Sequence, residues 1–123
     1  FMVQPFLSSI VETGEYSVFY FGGEYSHTIL KSPKADDFRV QEEHGGIING
    51  IEPSAEILGA ADKAISAIGR KLLYARVDLV LDADGRFVLM ELELIEPALY
   101  LRMDPGAPAR FAAAIDKWMA TGR

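Results

Sequence analysis

The chain has 123 residues, 50% of them hydrophobic, no cysteine and a formal net charge of −6. That length supports one domain, or part of one, with a real buried core, and without cysteine neither a disulfide frame nor a thiolate metal site is available. The acidic balance speaks against a nucleic-acid binder, whose affinity rests on clustered Lys and Arg.

No apolar run reaches the roughly 18 residues of a membrane span, and no charged-then-apolar leader opens the chain. A cytoplasmic protein with no membrane partner is therefore the expectation. The opening run Phe1-Met2-Val3-Gln4-Pro5-Phe6-Leu7 reads as the middle of a strand or hinge. The expectation for residues 1–123 is a fragment of a longer protein, with Met2 an internal residue; the alternative is one tag residue before a true start.

Residues 15–21 (EYSVFYF) are rich in aromatic and β-branched side chains and predict a strand. Gly22-Gly23 predicts a two-residue hairpin, with 24–31 as the returning strand. Residues 32–50 are polar, charged and broken by Pro33, Gly45, Gly46 and Gly50. They predict a long loop with a short strand near 38–41, and a loop of that length is usually functional or mobile.

Pro53 then opens a helix. Ile57, Leu58, Ala61, Ile65 and Ile68 recur at helical spacing, and Gly69 closes it. Residues 73–82 and 86–95 predict two strands joined by Asp84-Gly85. Asp104-Pro105 precedes a last helix with Pro108, Phe111, Ala112, Ile115 and Trp118 on one stripe. The order β-β-loop-α-β-β-α predicts an α+β fold, an antiparallel sheet with helices packed on one face.

The segment RVDLVLDADGRFVLMELEL, residues 76–94, carries the chemistry. Asp84-Gly85 signals a type I′ turn with positive φ at both residues. Strand partners then sum to 169, so Leu81 faces Val88, Leu79 faces Met90, Val77 faces Leu92 and Ala75 faces Leu94, one apolar face. On the other face Asp78 lies across from Glu91 and Arg76 across from Glu93, alongside Val80, Phe87 and Leu89. Opposed residues have Cβ atoms about 4.5–5.5 Å apart, and like charges at that distance repel. Asp78, Glu91 and Glu93 therefore form a site suited to a hard cation such as Mg²⁺, which takes carboxylates together with substrate phosphates. Arg76 is placed to hold an anionic group or to orient Glu93. The competing reading is a solvated face with incidental charges; the concentration of acids at the end far from the turn favours the site.

Arg76-Val77-Asp78, Asp84-Gly85 and Met90-Glu91-Leu92-Glu93 resemble the metal-binding hairpin of the ATP-grasp superfamily, which includes D-alanine–D-alanine ligase and glutathione synthetase. In that family an Asp, then a Glu and usually an Asn two residues later, bind two Mg²⁺ ions that bridge the ATP phosphates. Asp78 and Glu91 match, and Glu93 stands where Asn is usual, an oxygen ligand with extra negative charge. Arg76 matches an arginine used at the phosphates or the acylphosphate. The resemblance further implies that Gln4, Pro5, Phe6 and Leu7 form the hinge strand whose backbone reads adenine. It assigns Glu15, after Gly14, to the ribose hydroxyls, and Lys31 and Arg39, with Asp37-Phe38 and Gly45-Gly46, to phosphate and substrate. The whole-chain pattern most resembles a bacterial branch with a cyclo-ligase of cycloserine biosynthesis.

The resemblance implies a ligase that uses ATP and Mg²⁺, or Mn²⁺, to activate a small carboxylate for attack by an amine. The other nucleotide-gripping parts would lie upstream of Phe1, so the isolated chain is expected to be inactive and to bind ATP weakly. Alternatives are a non-catalytic nucleotide-binding module and a metal-dependent nuclease, the latter disfavoured by the acidity and by the lack of a lysine in the Glu91-Leu92-Glu93 unit. His27 reads as a structural histidine, His44 and Glu96 as substrate-side candidates without an assigned role, and Phe111 and Trp118 as core. The substrates joined and any homo-oligomer stay open.

Overall fold

Aromatic and β-branched runs that alternate in polarity pair into an antiparallel sheet, seen here in a computed structural model that describes residues 3, 7–9, 13–33 and 46–121. The elements are β1 (Glu15–Phe21), β2 (Glu24–Ser32), β3 (Ile47–Ile51), α1 (Ala55–Ile68), β4 (Tyr74–Leu81), β5 (Phe87–Glu93), a 3-10 turn (Leu101–Met103) and α2 (Ala107–Thr121). The sheet order is β3-β2-β1-β4-β5 with every neighbouring pair antiparallel. The α+β antiparallel class expected from the element order is what the structure shows. Among the described residues, no helix is long and apolar enough to cross a membrane.

One sheet face carries the main core. Val18 and Tyr20 of β1 and Ala75, Val77 and Leu79 of β4 pack on Ile57 and Ala61 of α1, with Leu58 and Ile65 alongside. The helix is therefore amphipathic for the reason its sequence spacing gave. It begins two residues later than expected, because Ser54, not Pro53, caps it by accepting from the Ile57 N–H. Its other end is Gly69 at φ 67°, a left-handed cap that suits glycine.

The opposite face is covered in part by the C-terminal segment. Phe111 of α2 packs on Phe21 with ring centroids 4.7 Å apart and lies edge-on to Tyr74. The two helices thus serve different faces of the sheet, whereas packing on one face was expected. The buried side of α2 is Ala107, Phe111, Ala114 and Trp118; Pro108, Ala112 and Ile115 of the expected stripe are exposed. Apolar residues fall on both sides of this alanine-rich helix, so its periodicity did not decide which side is buried.

Two other expectations need correction, the reach of the long loop and the two-residue turn. The end of the expected loop, residues 47–51, is strand β3, which pairs with Thr28–Ser32 on the sheet edge. Gly50 lies so close to the Met103 carbonyl that a Cβ would stand 2.7 Å from it, so here glycine belongs to a strand and not to a loop. The short strand expected at 38–41 lies outside the described residues. The β4–β5 turn has three residues: Asp82 N–H donates to the Arg86 carbonyl, and Gly85 is at φ 78° while Asp84 is not among the positive-φ residues. Near the turn Leu81 therefore faces Phe87 and Leu79 faces Leu89, and Phe87 joins the core face. A bulge at Met90 then restores the expected register, with Asp78 opposite Glu91 and Arg76 opposite Glu93.

Candidate functional site

Strand alternation collects the polar residues of four strands on one face. Lys31 pairs with Glu15, Ser17 with Asp78, Asp78 with Glu91, and Arg76 with Glu93. All of them lie on the face away from α1.

Asp78 is 1% exposed and fully engaged. Ser17 Oγ–H donates to its Oδ1 at 2.6 Å, Arg76 Nε donates to Oδ1 at 3.0 Å, and Arg76 Nη2 donates to Oδ2 at 2.8 Å. The same Nη2 lies 3.1 Å from Glu93 Oε1 and 3.9 Å from Glu91 Oε2. Arg76 is thus the hub of the three acids, and its planar fork meets the Asp78 carboxylate with two nitrogens. Burial opposes its charge, and Asp78, Glu93 and Glu91 outweigh that, so its pKa is raised above the usual arginine value. Its Nη1 donates to the Ala98 carbonyl at 3.4 Å.

Glu93 is the acid this crowding disturbs. Desolvation, then its hydrogen bond to Glu91, push its carboxyl up to about 7, with the Glu91 and Asp78 charges adding and Arg76 opposing. Glu15 is also raised, first by burial, while the Lys31 ammonium 3.2 Å away lowers it and Asp78 raises it. The Glu15–Lys31 pair is therefore electrically continuous with the cluster. Gly14 makes that placement feasible: at φ 112° it brings the chain so close to β2 that a Cβ would be 2.0 Å from the Lys31 carbonyl oxygen.

The structure brings together Arg76, Asp78, Glu91, Glu93, Glu15 and Lys31. Leu7 is half-buried and outside any strand, while Gln4, Pro5, Phe6, Arg39 and His44 lie outside the described residues. Glu96 is exposed, at φ 51°, with its N–H 3.5 Å from Tyr74 Oη. Ser17 was missed. Its signal was available: one small hydroxyl among Tyr, Val and Phe, two residues from Glu15 and so on the same face.

One oxygen from each of Asp78, Glu91 and Glu93 lies within 4.8 Å of the others. Three hard oxygen donors with an upward-shifted acid among them fit a divalent cation, which would favour the ionised form of all three. Ligand oxygens about 2.0–2.1 Å from Mg²⁺ require closer approach, and the half-exposed Glu91 and Glu93 have the freedom to supply it.

This five-stranded antiparallel sheet with two helices is the fold of the C-terminal portion of ATP-grasp ligases. The chain is homologous to the cycloserine biosynthesis protein DcsG of Streptomyces lavendulae, with 32% identity over 124 residues, taking in 93% of this chain and 40% of that protein. The crystal structure of D-cycloserine synthetase DcsG matches with a TM-score of 0.77 and 29% identity over 93% of this chain and 41% of that one. D-alanine–D-alanine ligase from Bacillus anthracis, complexed with ATP, matches with a TM-score of 0.59 and 23% identity over 87% of this chain and 37% of that one. The ATP-grasp ligase PsnB, complexed with Mg and ADP, gives 0.59 and 21% over 84% and 32%. These last two likenesses concern the fold alone. No family model matches the chain. The chain spans about two fifths of the length of DcsG.

Proposed function

We propose that this chain is the metal-binding and part of the nucleotide-binding portion of a ligase that uses ATP and Mg²⁺ to activate a small carboxylate for attack by an amine. The observation that carries the reading is the convergence of Asp78, Glu91 and Glu93 within 4.8 Å around Arg76. The homology to DcsG supports it, as does the ATP-grasp fold.

In this reading Asp78, Glu91 and Glu93 hold the cation, which when bound neutralises charge on the β- and γ-phosphates. Arg76, kept charged by its acids, presents a guanidinium toward the transferred phosphoryl group or the acylphosphate. Lys31 offers a second cation on the same face, and Glu15 is assigned to the ribose hydroxyls. Leu7, with Gln4, Pro5 and Phe6, is assigned to adenine, and Arg39 to phosphate or substrate. No protein nucleophile is required, since positioning and electrostatics carry both the phosphoryl and the acyl transfer. The segment preceding these residues in the longer protein would complete the nucleotide grip.

Mn²⁺ serves as a paramagnetic stand-in for Mg²⁺. In an electron-paramagnetic-resonance titration of the chain, Mn²⁺ binding is expected, strengthened by added ATP. Asp78→Asn and Glu91→Gln are expected to abolish it. Unchanged binding in both folded variants would defeat the proposal.

A further inference from the structure

A single row of residues crosses four strands beside the carboxylate cluster: His27 on β2, Phe19 on β1, Arg76 on β4 and Glu93 on β5, each the direct partner of the next. His27 is 4% exposed and lies flat on Phe19, with ring centroids 4.3 Å apart and 5° between the planes. From either side of Phe19, His27 and Arg76 reach up to two consecutive carbonyls of the segment that follows β5. Arg76 Nη1 donates to Ala98 O at 3.4 Å and His27 Nε2 donates to Leu99 O at 3.0 Å. Tyr100, next in the chain, tilts its ring toward Phe19 at 6.3 Å.

The pinned carbonyls sit between two left-handed non-glycine residues, Glu96 at φ 51° and Tyr100 at φ 45°. Such conformations persist only where the surroundings over-determine them. Here the surroundings include a directed chain of hydrogen bonds. Asp104 accepts from Arg110 Nη2 and from the Gly106 N–H. Arg110 Nε donates to Ser26 Oγ at 3.0 Å, and Ser26 Oγ lies 2.8 Å from His27 Nδ1. Since the Leu99 carbonyl can only accept, Nε2 carries the ring proton; Nδ1 then accepts from Ser26, whose oxygen accepts from Arg110. Nε2–H and the Ser26 O–H both find acceptors within this chain of hydrogen bonds only if His27 is neutral. Ser26 reaches this position because it is the extra residue of a bulge, with Phe19 facing His27 and Tyr20 facing Tyr25.

We propose that His27 is a positioning residue for the Arg76–carboxylate site: neutral and protonated on Nε2, it anchors the 96–100 segment through Leu99 and thereby holds the Ala98 carbonyl where it fixes Arg76. The effect on metal binding rests on the function proposed above; the tether itself does not. Burial is the main cause of a lowered His27 pKa, which agrees with the neutral ring. The charged groups around the ring are Arg110, which disfavours its protonation, and Asp104, which favours it.

The test uses the ¹⁵N-labelled chain with His27→Phe and His27→Gln. Phenylalanine keeps the stacking on Phe19 and deletes the Nε2–H donor; glutamine carries an amide N–H to nearly the same place. In His27→Phe the Arg76 Nε–H resonance is expected to exchange faster with water, and Mn²⁺ affinity to fall by about tenfold, the low end for loss of an outer-shell partner. His27→Gln is expected to recover most of both. A purely structural histidine would lower stability in His27→Phe and leave the Arg76 signal and Mn²⁺ affinity as in the wild type, which overturns the proposal. So does a wild-type ring found protonated on Nδ1, a measurement that stands even if His27→Phe fails to fold. If the wild-type chain binds no Mn²⁺, the metal reading falls, and Arg76 Nε–H exchange still decides the tether.

Discussion

Ser17 Oγ–H donates a hydrogen bond to Asp78 Oδ1 at 2.6 Å, joining the centres of two adjacent strands inside the sheet face that bears the acids. Both residues are buried, so this bond has no water to replace it. Ser17→Ala is expected to destabilise the chain by about 1.5–3 kcal/mol, the range for a hydrogen bond to a charged group. Mn²⁺ affinity should fall too, because Asp78 loses one of the two groups that orient its carboxylate. Urea denaturation and the Mn²⁺ titration check the two effects, and unaltered values for both would show that Arg76 alone suffices to fix Asp78.

Arg76 compensates acids that would otherwise face one another with no cation between them. Arg76→Met should therefore cost about 3–5 kcal/mol, the loss expected when one partner of a buried pair is removed. Arg76→Lys should recover only part of this, since a single ammonium cannot meet both Asp78 oxygens and also reach Glu93. The decisive measurement is thermal unfolding with and without Mg²⁺. If the three acids form a cation site, Mg²⁺ should stabilise Arg76→Met more than the wild type. Equal shifts would mean that the ion does not bind among them.

The acidic face was legible in the sequence, and the detail of the hairpin beneath it was not. Two departures from a two-residue turn cancel. The loop is one residue longer, and Met90 bulges out, so the register is shifted near the turn and restored at Asp78–Glu91. Asp-Gly signals a tight turn but does not fix its length. Here the Asp82 carboxylate accepts from both the Asp84 and Arg86 N–H groups at 2.9 Å and stabilises the longer loop. The strand β3 was hidden for another reason. Its sequence, IINGI, has a weak strand pattern, and it is held by pairing with β2 and by the close approach of Gly50 to Met103. Ser17 could have been read from alternation alone, whereas the Arg76 contact with Ala98 depends on a chain reversal that no local pattern announces.

Glu93 gives a pH dependence whose sign follows from its raised carboxyl, about 7 in the folded chain against an ordinary 4.5. Between these values the folded state holds a proton that the unfolded state has shed. In the absence of cation, Glu93 thus makes stability fall as pH rises through that window. Cation binding requires the ionised acids, so its affinity should rise over the same window and level off above it. Glu93→Gln removes both trends. Denaturation at about pH 5 and about pH 8, as the difference between wild type and Glu93→Gln, isolates this group from His27, whose lowered pKa acts with the opposite sign. A difference that does not change with pH would show that Glu93 titrates normally and that the crowding is relieved by motion of its half-exposed side chain.

Gly14 tests the other end of the site. Its φ of 112° is one that side chains rarely adopt, and a Cβ there would stand 2.0 Å from the Lys31 carbonyl oxygen and 3.0 Å from the Ser32 Cα. Both clashing groups are backbone, so they cannot swing away. Gly14→Ala must either unpair the start of β1 from the end of β2 or push the two strands apart. Glu15 and Lys31 are direct partners at that point, 3.2 Å apart through their side chains. The expected cost is about 1–3 kcal/mol from the backbone conformation alone, with the clash adding to it. If Glu15 and Lys31 contact nucleotide, the Gly14→Ala chain should also lose the strengthening of Mn²⁺ binding by ATP while still binding Mn²⁺ itself, because Asp78, Glu91 and Glu93 hang on β4 and β5. Loss of Mn²⁺ binding in a variant that remains folded would mean that the two ends of the site are not separable.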